Sequence, residues 1–132
     1  MVMTDPIADF LINIKNGYLA RKRQTVVPYS KIKDQLGQIL VKEGYLTSAK
    51  CKMQNAKLKT LELELKYNGK QPALAEVKRI SKPGLRIYSK AKAIPRVRTG
   101  FGITIVSTSA GLMIDNQARK KKLGGEIVCQ IW

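Results

Sequence analysis

The sequence predicts an α+β fold, with an N-terminal α/β half in the order αβαββ and a β-rich C-terminal half that contains one short helix. Three observations favour this class. Apolar residues recur at helical spacing in two early segments, apolar and polar residues alternate along residues 61–67, and glycine or proline turns separate short apolar runs after residue 70. We therefore divide the chain into an N-terminal half, residues 1–70, and a mainly β C-terminal half, residues 71–132.

The first predicted helix begins at Asp5, which can cap it, with Pro6 at the first helical position. Asn16 and Gly17 predict its end, although the last turn can extend through Leu19. The buried face of this helix is predicted to consist of Ile7, Phe10, Leu11 and Ile14.

A short strand and a second helix follow. The strand is predicted at residues 24–28, Ser30 predicts the N-cap of the helix, and Gly44 predicts its left-handed C-cap. The buried stripe of this helix is predicted to be Ile32, Leu36, Ile39 and Leu40. Two further strands are expected at residues 45–53 and 61–67, the second with the clearest alternation in the chain.

Turn signals divide the start of the C-terminal half. The Gln-Pro pair at residues 71–72 predicts a short linker. The Pro-Gly pair at residues 83–84 predicts a turn between strands at residues 74–80 and 85–88. We expect these two strands to pair with each other.

The end of the chain predicts two more strands and the single short helix. The strands are expected at residues 103–106 and 127–132. Asp115 predicts the cap of a helix at residues 118–123, and Gly124 predicts its end.

The charge of the chain is strongly positive. Lys and Arg number 25 against 9 Asp and Glu, which gives a net charge of +16 and a pI of about 10.1. Such an excess repels itself in a free globule, and its commonest partner is a nucleic acid. The chain contains no histidine, which is the commonest general base and nitrogen ligand for metals. We therefore expect no enzyme activity, no cofactor, no metal and no small-molecule substrate.

The apolar segments and the cysteines also indicate the cellular compartment of the protein. No apolar run approaches the roughly 20 residues of a spanning helix, and the N-terminal residues lack the pattern of a signal peptide. Cys51 and Cys129 lie far apart, form no CxxC pair and suit a reducing compartment. We expect a cytoplasmic protein without membrane contact.

A basic stretch without acidic residues lies between Glu76 and Asp115. A solvated surface usually mixes both signs, so this stretch favours contact with a phosphate backbone over mere solubility. Its cations are Lys78, Arg79, Lys82, Arg86, Lys90, Lys92, Arg96 and Arg98. Three lysines at residues 120–122 then precede Gly124 and Gly125, whose backbone N–H groups suit close approach of a phosphate or a base.

Selective recognition needs groups that read base edges. Ser107, Thr108 and Ser109 follow a predicted strand and can present three hydroxyls to irregular RNA, since the A-form major groove is too narrow to read. An ordinary Ser/Thr turn explains the same three residues equally well. Tyr88 lies inside the basic stretch, where it either stacks on a base or belongs half to the core.

Four ordered motifs resemble the family of bacterial small-subunit ribosomal protein eight. They are DPIAD at residues 5–9 with IKNG at 14–17, SKPGLRIY at 81–88, GFGI at 100–103 leading into STSAGLM at 107–113, and GGEI at 124–127. Each motif could occur by chance, but the four in this order could not. The match covers residues 3–132.

The resemblance implies a structural constituent of the small ribosomal subunit that binds rRNA directly and helps the subunit assemble. The implied rRNA site is a helix with an irregular core in the central domain. Further implied partners are neighbouring small-subunit ribosomal proteins and the protein's own operon mRNA, whose translation this family can repress.

The resemblance also implies which residues contact RNA. In this family the run matching Ser107, Thr108 and Ser109 reads the irregular bases. The positions matching Tyr88, Gly124, Gly125 and Glu126 lie near the same RNA feature, and those matching Thr4, Asp5, Pro6, Ser30 and Lys31 form a second, backbone-directed surface. The predicted RNA-binding set is completed by Lys82 and Arg86 from the basic stretch.

Two positions depart from the family pattern, and two other functions compete with the ribosomal one. Ala110 stands where a basic residue is common, and Ile114 replaces a small hydroxyl residue, so the cap of the last helix is expected to rest on Asp115. A non-ribosomal regulator would bind structured mRNA or duplex RNA through shape and charge alone. An enzyme with an anionic substrate is disfavoured by the missing histidine and the sparse carboxylates.

Overall fold

The computed structural model of the protein describes residues 5–53, 55–97 and 102–132. These residues form two compact units: an N-terminal unit of residues 6–75, and a C-terminal unit of residues 76–132 to which Asp5 also belongs. The α+β class is confirmed, and the strand pairings in both units are antiparallel. Within the described ranges, no helix is long and apolar enough to cross a membrane.

The N-terminal unit has the predicted αβαββ order followed by a small hairpin. Its elements are α1 (Pro6–Leu19), β1 (Gln24–Pro28), α2 (Lys31–Lys42), β2 (Leu46–Met53), β3 (Lys59–Leu65), β4 (Tyr67–Asn68) and β5 (Gln71–Pro72). The first three strands form a sheet in the order β1-β3-β2, and β4 pairs with β5.

Both long helices pack on one face of this sheet. The central strand β3 buries Leu61, Leu63 and Leu65 at every second position, which is the side-chain period of a strand. A Cβ built at Gly17 of α1 would lie 3.0 Å from Leu65, and one at Gly37 of α2 would lie 3.2 Å from Ala49 and 3.7 Å from Leu63. The two glycines therefore allow the helices to approach the sheet closely.

The capping of α2 confirms the prediction. Ser30 has an extended backbone, and its hydroxyl accepts a hydrogen bond from the Lys33 N–H at 3.3 Å. Gly44 has a φ of +87°, so the left-handed residue after this helix is also confirmed.

Helix α1 continues to Leu19, the extension that the sequence left open, and Arg21 takes the left-handed conformation with a φ of 56°. Two other details of the N-terminal unit differ from the prediction. Ile32 is exposed rather than buried, because it lies on the first turn of α2 beyond the sheet-facing stripe. Residues 71–72 are not a linker, since Gln71 and Pro72 pair with β4.

The C-terminal unit is built around its last strand. Its elements are β6 (Val77–Arg79), β7 (Tyr88–Ser89), a short 3-10 helix (Ala91–Ala93), β8 (Ile103–Thr108), β9 (Gly111–Ile114), α3 (Asp115–Lys120) and β10 (Gly125–Ile131). Strand β10 pairs with β8 on one edge and with β6 and β7 on the other, and β9 pairs with β8. The core packed between these strands and α3 contains Ile94, Val106, Met113, Ala118 and Ile127.

The expected hairpin between residues 74–80 and 85–88 is wrong. The turn at residues 83–84 forms, with Lys82 and Leu85 exchanging two backbone hydrogen bonds of 2.9 Å. Strands β6 and β7, however, both pair with β10, one after the other along the same edge. Strands β6 and β7 are therefore successive parts of one path along β10. The turn between them is a loop that leaves this path and returns to it.

The predicted start and end of the last helix are also wrong. Helix α3 begins at Asp115, its N-cap is Ile114, and no side chain of the described residues caps it. The helix closes before Gly124, at Lys122, whose φ is 56°. The Lys122 N–H donates to Arg119 O at 3.1 Å and the Leu123 N–H to Ala118 O at 2.9 Å, which is the Schellman pattern.

The predicted strands at residues 103–106 and 127–132 are confirmed as β8 and β10, with shifted ends. Strand β9 was not predicted from the sequence, because it is short and its pairing with β8 depends on a tight turn at residues 109–110.

Candidate nucleic-acid interface

Residues 82–86 form a loop that leaves the edge of the sheet at one point and returns to it at the next pairing position. Ser81 is fully buried, and its hydroxyl oxygen accepts a hydrogen bond from the Ile87 N–H at 2.8 Å, which closes the base of the loop. Backbone hydrogen bonds join Ser81 N to Ile127 O at 3.1 Å and Ile127 N to Ile87 O at 2.8 Å. The loop is thus held on β10, and it exposes Lys82 and Arg86 at its two ends.

Three predicted site residues that lie far apart in the sequence stand side by side across three strands. Tyr88 of β7 pairs with Glu126 of β10, and Glu126 pairs on its other edge with Ser107 of β8. Directly opposed residues of an antiparallel pair point to the same face, with Cβ atoms about 5 Å apart. Tyr88, Glu126 and Ser107 therefore form one line on one face of the sheet, which we call the cross-strand row.

Tyr88 is the most exposed member of this row. Its exposed fraction is 70%, so its ring does not belong to the core. An exposed aromatic ring beside polar groups on a basic surface has the geometry needed for stacking on a base.

The Ser-Thr-Ser run divides between two tasks. The Thr108 hydroxyl donates to Gly111 O at 2.9 Å and accepts from the Ala110 N–H at 3.1 Å, so it stabilises the turn between β8 and β9. Within the described part of the chain, no hydrogen bond occupies the hydroxyls of Ser107 and Ser109. The Ser/Thr-turn interpretation thus holds for Thr108, and two hydroxyls beside it are available to a ligand.

Gly124 and Gly125 bring the site strands together. A Cβ on Gly124 would lie 2.5 Å from the carbonyl oxygen of Ser89 and 2.9 Å from Lys90 Cα. A Cβ on Gly125 would overlap the carbonyl oxygen of Ser107 and lie 3.2 Å from Thr108 Cα. The space that these glycines leave is therefore filled by the protein's own backbone, which sets the distance between Tyr88 and the Ser107 turn.

Arginines pair with the carboxylates near this site. Glu126 of the cross-strand row lies 3.3 Å from Arg86, whose side chain is 47% exposed. Asp115 lies 2.9 Å from Arg119, and Asp5 lies 3.1 Å from Arg79. The pairing of Glu126 reduces the repulsion that a bare carboxylate would exert on a phosphate group.

The residues predicted for a second surface lie outside the cross-strand row. Pro6 begins α1, while Ser30 and Lys31 stand at the start of α2, in the N-terminal unit. Asp5 pairs with Arg79 in the C-terminal unit. Thr4 lies outside the described residues.

Sequence reasoning missed two positioning residues, Ser81 and Arg119. Ser81 closes the base of the loop, and Arg119 donates from Nη2 to the Ile94 carbonyl at 2.9 Å, which ties α3 to the segment after β7. A serine beside a proline-glycine turn is a weak signal for Ser81. Nothing in the sequence indicated the partner of Arg119, because Ile94 lies 25 residues away.

An exposed aromatic ring, free hydroxyls and many cations on a sheet are typical of a nucleic-acid-binding protein rather than of an enzyme. The family model for "Ribosomal protein S8" matches residues 5–132. The chain therefore belongs to the ribosomal protein S8 family.

Curated relatives agree over the full length. The chain is similar to a protein named "Small ribosomal subunit protein uS8" from Clostridium novyi, with 46% identity over 132 residues and all of both chains covered. Relatives with the same name occur in Caldanaerobacter subterraneus, at 47% identity over 133 residues, and in Mycoplasmopsis agalactiae, at 46% over 132. Both comparisons again cover all of both chains.

Proposed function

We propose that this protein is a structural constituent of the small ribosomal subunit that binds rRNA directly and contributes to assembly. Membership of the ribosomal protein S8 family supports the ribosomal role, and it agrees with the expectation that the chain is not an enzyme. The site of action is the cytoplasm, within the subunit and in contact with rRNA and neighbouring ribosomal proteins.

The proposed RNA target is a helix with an irregular core in the central domain of small-subunit rRNA. The observation that carries this proposal is the cross-strand row, which combines an exposed ring, a carboxylate and a hydroxyl on one face. Irregular helices splay bases out of the stack, and such bases are recognised by stacking and by hydrogen bonds to their edges. A regular A-form helix offers none of these bases to a flat sheet.

Each group of the row and its turn suits one part of this recognition. Tyr88 stacks on an unpaired base, while Ser107 and Ser109 donate to and accept from base edges or 2′-hydroxyls. Glu126 accepts from a base amino group and is held in place by Arg86. Gly124 and Gly125 allow the three strands to stand close enough for one RNA feature to meet all of these groups.

Cations supply the remaining affinity. Lys82 lies on the exposed loop beside the row and contacts a phosphate, as does Arg86 on the side away from Glu126. We also propose that Thr4, Asp5, Pro6, Ser30 and Lys31 contact the RNA backbone, as the family resemblance implies. The same groups would bind an RNA that imitates the rRNA site, so repression of the protein's own operon mRNA is part of the proposal.

A competition experiment tests this function. The purified protein is mixed with the central-domain rRNA helix and a perfectly paired competitor helix of equal length. The affinity for each helix is measured across a salt series. We expect a preference for the irregular helix that persists at high salt, because base contacts do not depend on counterion release. Equal binding of both helices, lost together as salt rises, would favour a regulator that recognises only shape and charge.

A double variant and a control test whether the turn after β8 provides the preference for the irregular helix. We expect Ser107→Ala combined with Ser109→Ala to weaken binding to the irregular helix by about 1–3 kcal/mol per lost polar partner. Binding to the paired helix should hardly change. Ser48→Ala is the control, because it removes a serine hydroxyl in the N-terminal unit whose hydrogen bond, among the described residues, goes to Glu64 at 3.2 Å. An unchanged preference in the double variant would exclude these hydroxyls as readers.

A further inference from the structure

Strand β2 lies at one edge of the three-stranded sheet of the N-terminal unit. The sheet order β1-β3-β2 leaves β1 and β2 as its two edges, so among the described residues only β3 pairs with β2. The exposed part of β2 is its second half, residues 50–53. An exposed edge strand presents unpaired N–H and C=O groups, which can pair with an additional strand.

The hydrogen bonds of the central strand identify the direction of each backbone group. Backbone bonds join Leu65 N to Arg23 O at 2.8 Å and Tyr29 N to Lys59 O at 3.2 Å, at the two ends of the ladder between β1 and β3. Bonded pairs alternate along an antiparallel ladder, so the odd-numbered residues of β3 bond to β1. The even-numbered residues of β3 therefore bond to β2.

The outward groups of β2 follow from this alternation. The even-numbered residues of β3 oppose residues 48, 50 and 52 of β2, so the N–H and C=O groups of Ala49, Cys51 and Met53 face away from the sheet. The carbonyl of Ala49 agrees with this direction, because it accepts from Nε2 of Gln38, a residue of α2, at 2.9 Å. Among the described residues, no hydrogen bond occupies the outward groups of Cys51 and Met53, which we call the open edge.

The side chains along the open edge differ between the two faces of the sheet. Cys51 opposes the buried Leu61 and lies on the face that the helices cover, yet its side chain is exposed. Met53 lies on the same face and is 59% exposed. Lys50 and Lys52 lie on the opposite face and are also exposed. An added strand would thus meet apolar groups on one face and ammonium groups on the other.

The other edge of the sheet is protected against pairing. By the same alternation, the outward residues of β1 are Gln24, Val26 and Pro28, and a proline has no N–H to donate. Strand β2 contains no proline but carries Lys50 and Lys52. Edge lysines repel a strand of the same charge and attract an acidic one. A second copy of this chain would oppose these lysines with its own, so the charge of the edge selects a different, acidic partner.

We propose that the open edge binds an extended segment of a neighbouring protein, which adds a fourth, antiparallel strand to the three-stranded sheet. Acidic residues at alternate positions of this segment face Lys50 and Lys52, and the apolar residues between them face Cys51 and Met53. The antiparallel direction continues the pairing of the sheet and gives the more stable hydrogen bonds. The open edge belongs to the N-terminal unit and does not use the cross-strand row, so the proposed function stands if this inference fails.

Amide hydrogen exchange with a model peptide tests the proposal. The probe is a short peptide of alternating valine and glutamate, and its control is an isomer with the valines and the glutamates in separate blocks. We expect the alternating peptide to slow exchange at the N–H groups of Cys51 and Met53, and the isomer to leave both unchanged. Equal protection by the two peptides, or protection confined to the C-terminal unit, would overturn the proposal, because binding would then depend on net charge alone.

Methylation of the peptide backbone tests the pairing itself in the wild-type protein. Directly opposed residues of an antiparallel pair lie on the same face, so the valines are the residues that exchange hydrogen bonds with Cys51 and Met53. N-methylation of the valines should abolish the protection, whereas N-methylation of the glutamates should preserve it. The reverse pattern, or equal loss with both peptides, would contradict antiparallel pairing at the open edge.

Two proline variants form a matched pair. Cys51→Pro and Val26→Pro each remove an outward N–H of an edge strand and keep the bonds to β3. We expect Cys51→Pro to weaken binding of the alternating peptide about tenfold or more, because a backbone bond and the close approach of the new strand are lost. Val26→Pro should bind the peptide like the wild-type protein. Equal affinities of two folded variants would exclude β2 as the docking strand, and the methylated peptides decide the question if either variant does not fold.

A second pair of variants tests the charge of the partner. Lys50→Gln should weaken binding of the alternating peptide about two- to fivefold, because one cross-strand charge pair is lost. Lys42→Gln removes the same charge from the end of α2 and should change the affinity less. Equal effects would refute the acidic partner. Protection of Cys51 and Met53 by the rRNA helix but not by the peptide would assign the open edge to RNA and overturn the proposal.

Discussion

The close approach between β10 and the end of β8 makes Gly125→Ala an informative substitution. The new methyl group would overlap the carbonyl oxygen of Ser107 and lie 2.9 Å from the carbonyl carbon of the same residue. Both obstacles are backbone atoms of a strand that pairs on two sides, so no side-chain rotation can remove the overlap. The end of β8 must move by about 1 Å to restore ordinary contact distances.

The expected magnitude follows from this geometry. Overpacking of a well-packed region destabilises by about 1–3 kcal/mol, and a backbone obstacle places Gly125→Ala near the upper end of this range. For a chain of this size, each kcal/mol lowers the melting temperature by roughly 3–5 °C. Because the displaced segment carries Ser107 and the turn, we also expect the preference for irregular RNA to decrease at temperatures where the variant is fully folded.

Thermal unfolding and competitive RNA binding measure the two effects. Gly69→Ala is the control, because Gly69 has a φ of +66° in the β4–β5 hairpin and a Cβ there would meet no described atom within 4 Å. This control should destabilise through left-handed strain alone and leave the RNA preference intact. If Gly125→Ala melted like the wild-type protein and kept its preference, the close packing that we assign to this glycine would be refuted.

Two further predictions concern Tyr88 and Cys129. Tyr88→Ala should weaken binding to irregular RNA by about 1–3 kcal/mol without lowering the melting temperature, whereas Tyr88→Phe should retain binding; equal loss in both variants would argue against stacking. Burial raises the pKa of the Cys129 thiol from 9.0 to about 12, so the native state keeps a proton that the unfolded state loses. Stability should therefore fall by about 1.4 kcal/mol per pH unit between pH 9 and pH 12 from this group. Chemical denaturation should show a shallower decline in Cys129→Ala, and an identical decline would contradict the assignment.

The local elements of the fold could be predicted because their signals are local. Ser30 caps α2 through a bond to a residue three positions away, and the alternating leucines of β3 follow the period of a strand. Pairing between strands is not local. The turn at residues 83–84 was predicted correctly, but its two arms pair with β10, from Ser89 with Gly125 to Val77 with Ile131, far along the chain.

The ion pair between Asp115 and Arg119 accounts for the wrong prediction of the cap of the last helix. Asp115 was expected to cap a helix, which is the usual role of an aspartate before a helical segment. The carboxylate pairs with Arg119 one turn later instead, and α3 begins at Asp115 itself. Glycine was expected to close the helix, but Lys122 does so in the strained conformation. Lys122 closes the helix because its N–H and that of Leu123 bond to the last helical carbonyl groups, although a lysine has little preference for this conformation.

The candidate site could be predicted as a set of residues but not as an arrangement. The motifs named Tyr88, Glu126 and Ser107, and the sheet register joins them into one row. This register could not be predicted from the sequence. Gly124 and Gly125 allow it because backbone atoms of β7, of the residue after it and of β8 lie where a side chain would be. A glycine pair in a sequence indicates close approach without indicating what approaches.

The distribution of ion pairs in the C-terminal unit explains how one basic surface can combine a stable fold with RNA binding. Arg79, Arg86 and Arg119 each pair with a carboxylate, and two of them also donate to backbone carbonyls of the same unit. A guanidinium with several donors in a plane can satisfy both kinds of partner at once, whereas a lysine ammonium is a mobile point charge. Arginine is therefore the residue that organises the fold of this unit, and of these three arginines only Arg86 is also proposed to contact a phosphate group. It follows that Lys82→Arg should keep the salt slope of RNA binding, because the charge at the proposed phosphate contact is retained. Arg119→Lys should lower the melting temperature although the net charge is the same, because the bond to the Ile94 carbonyl is lost.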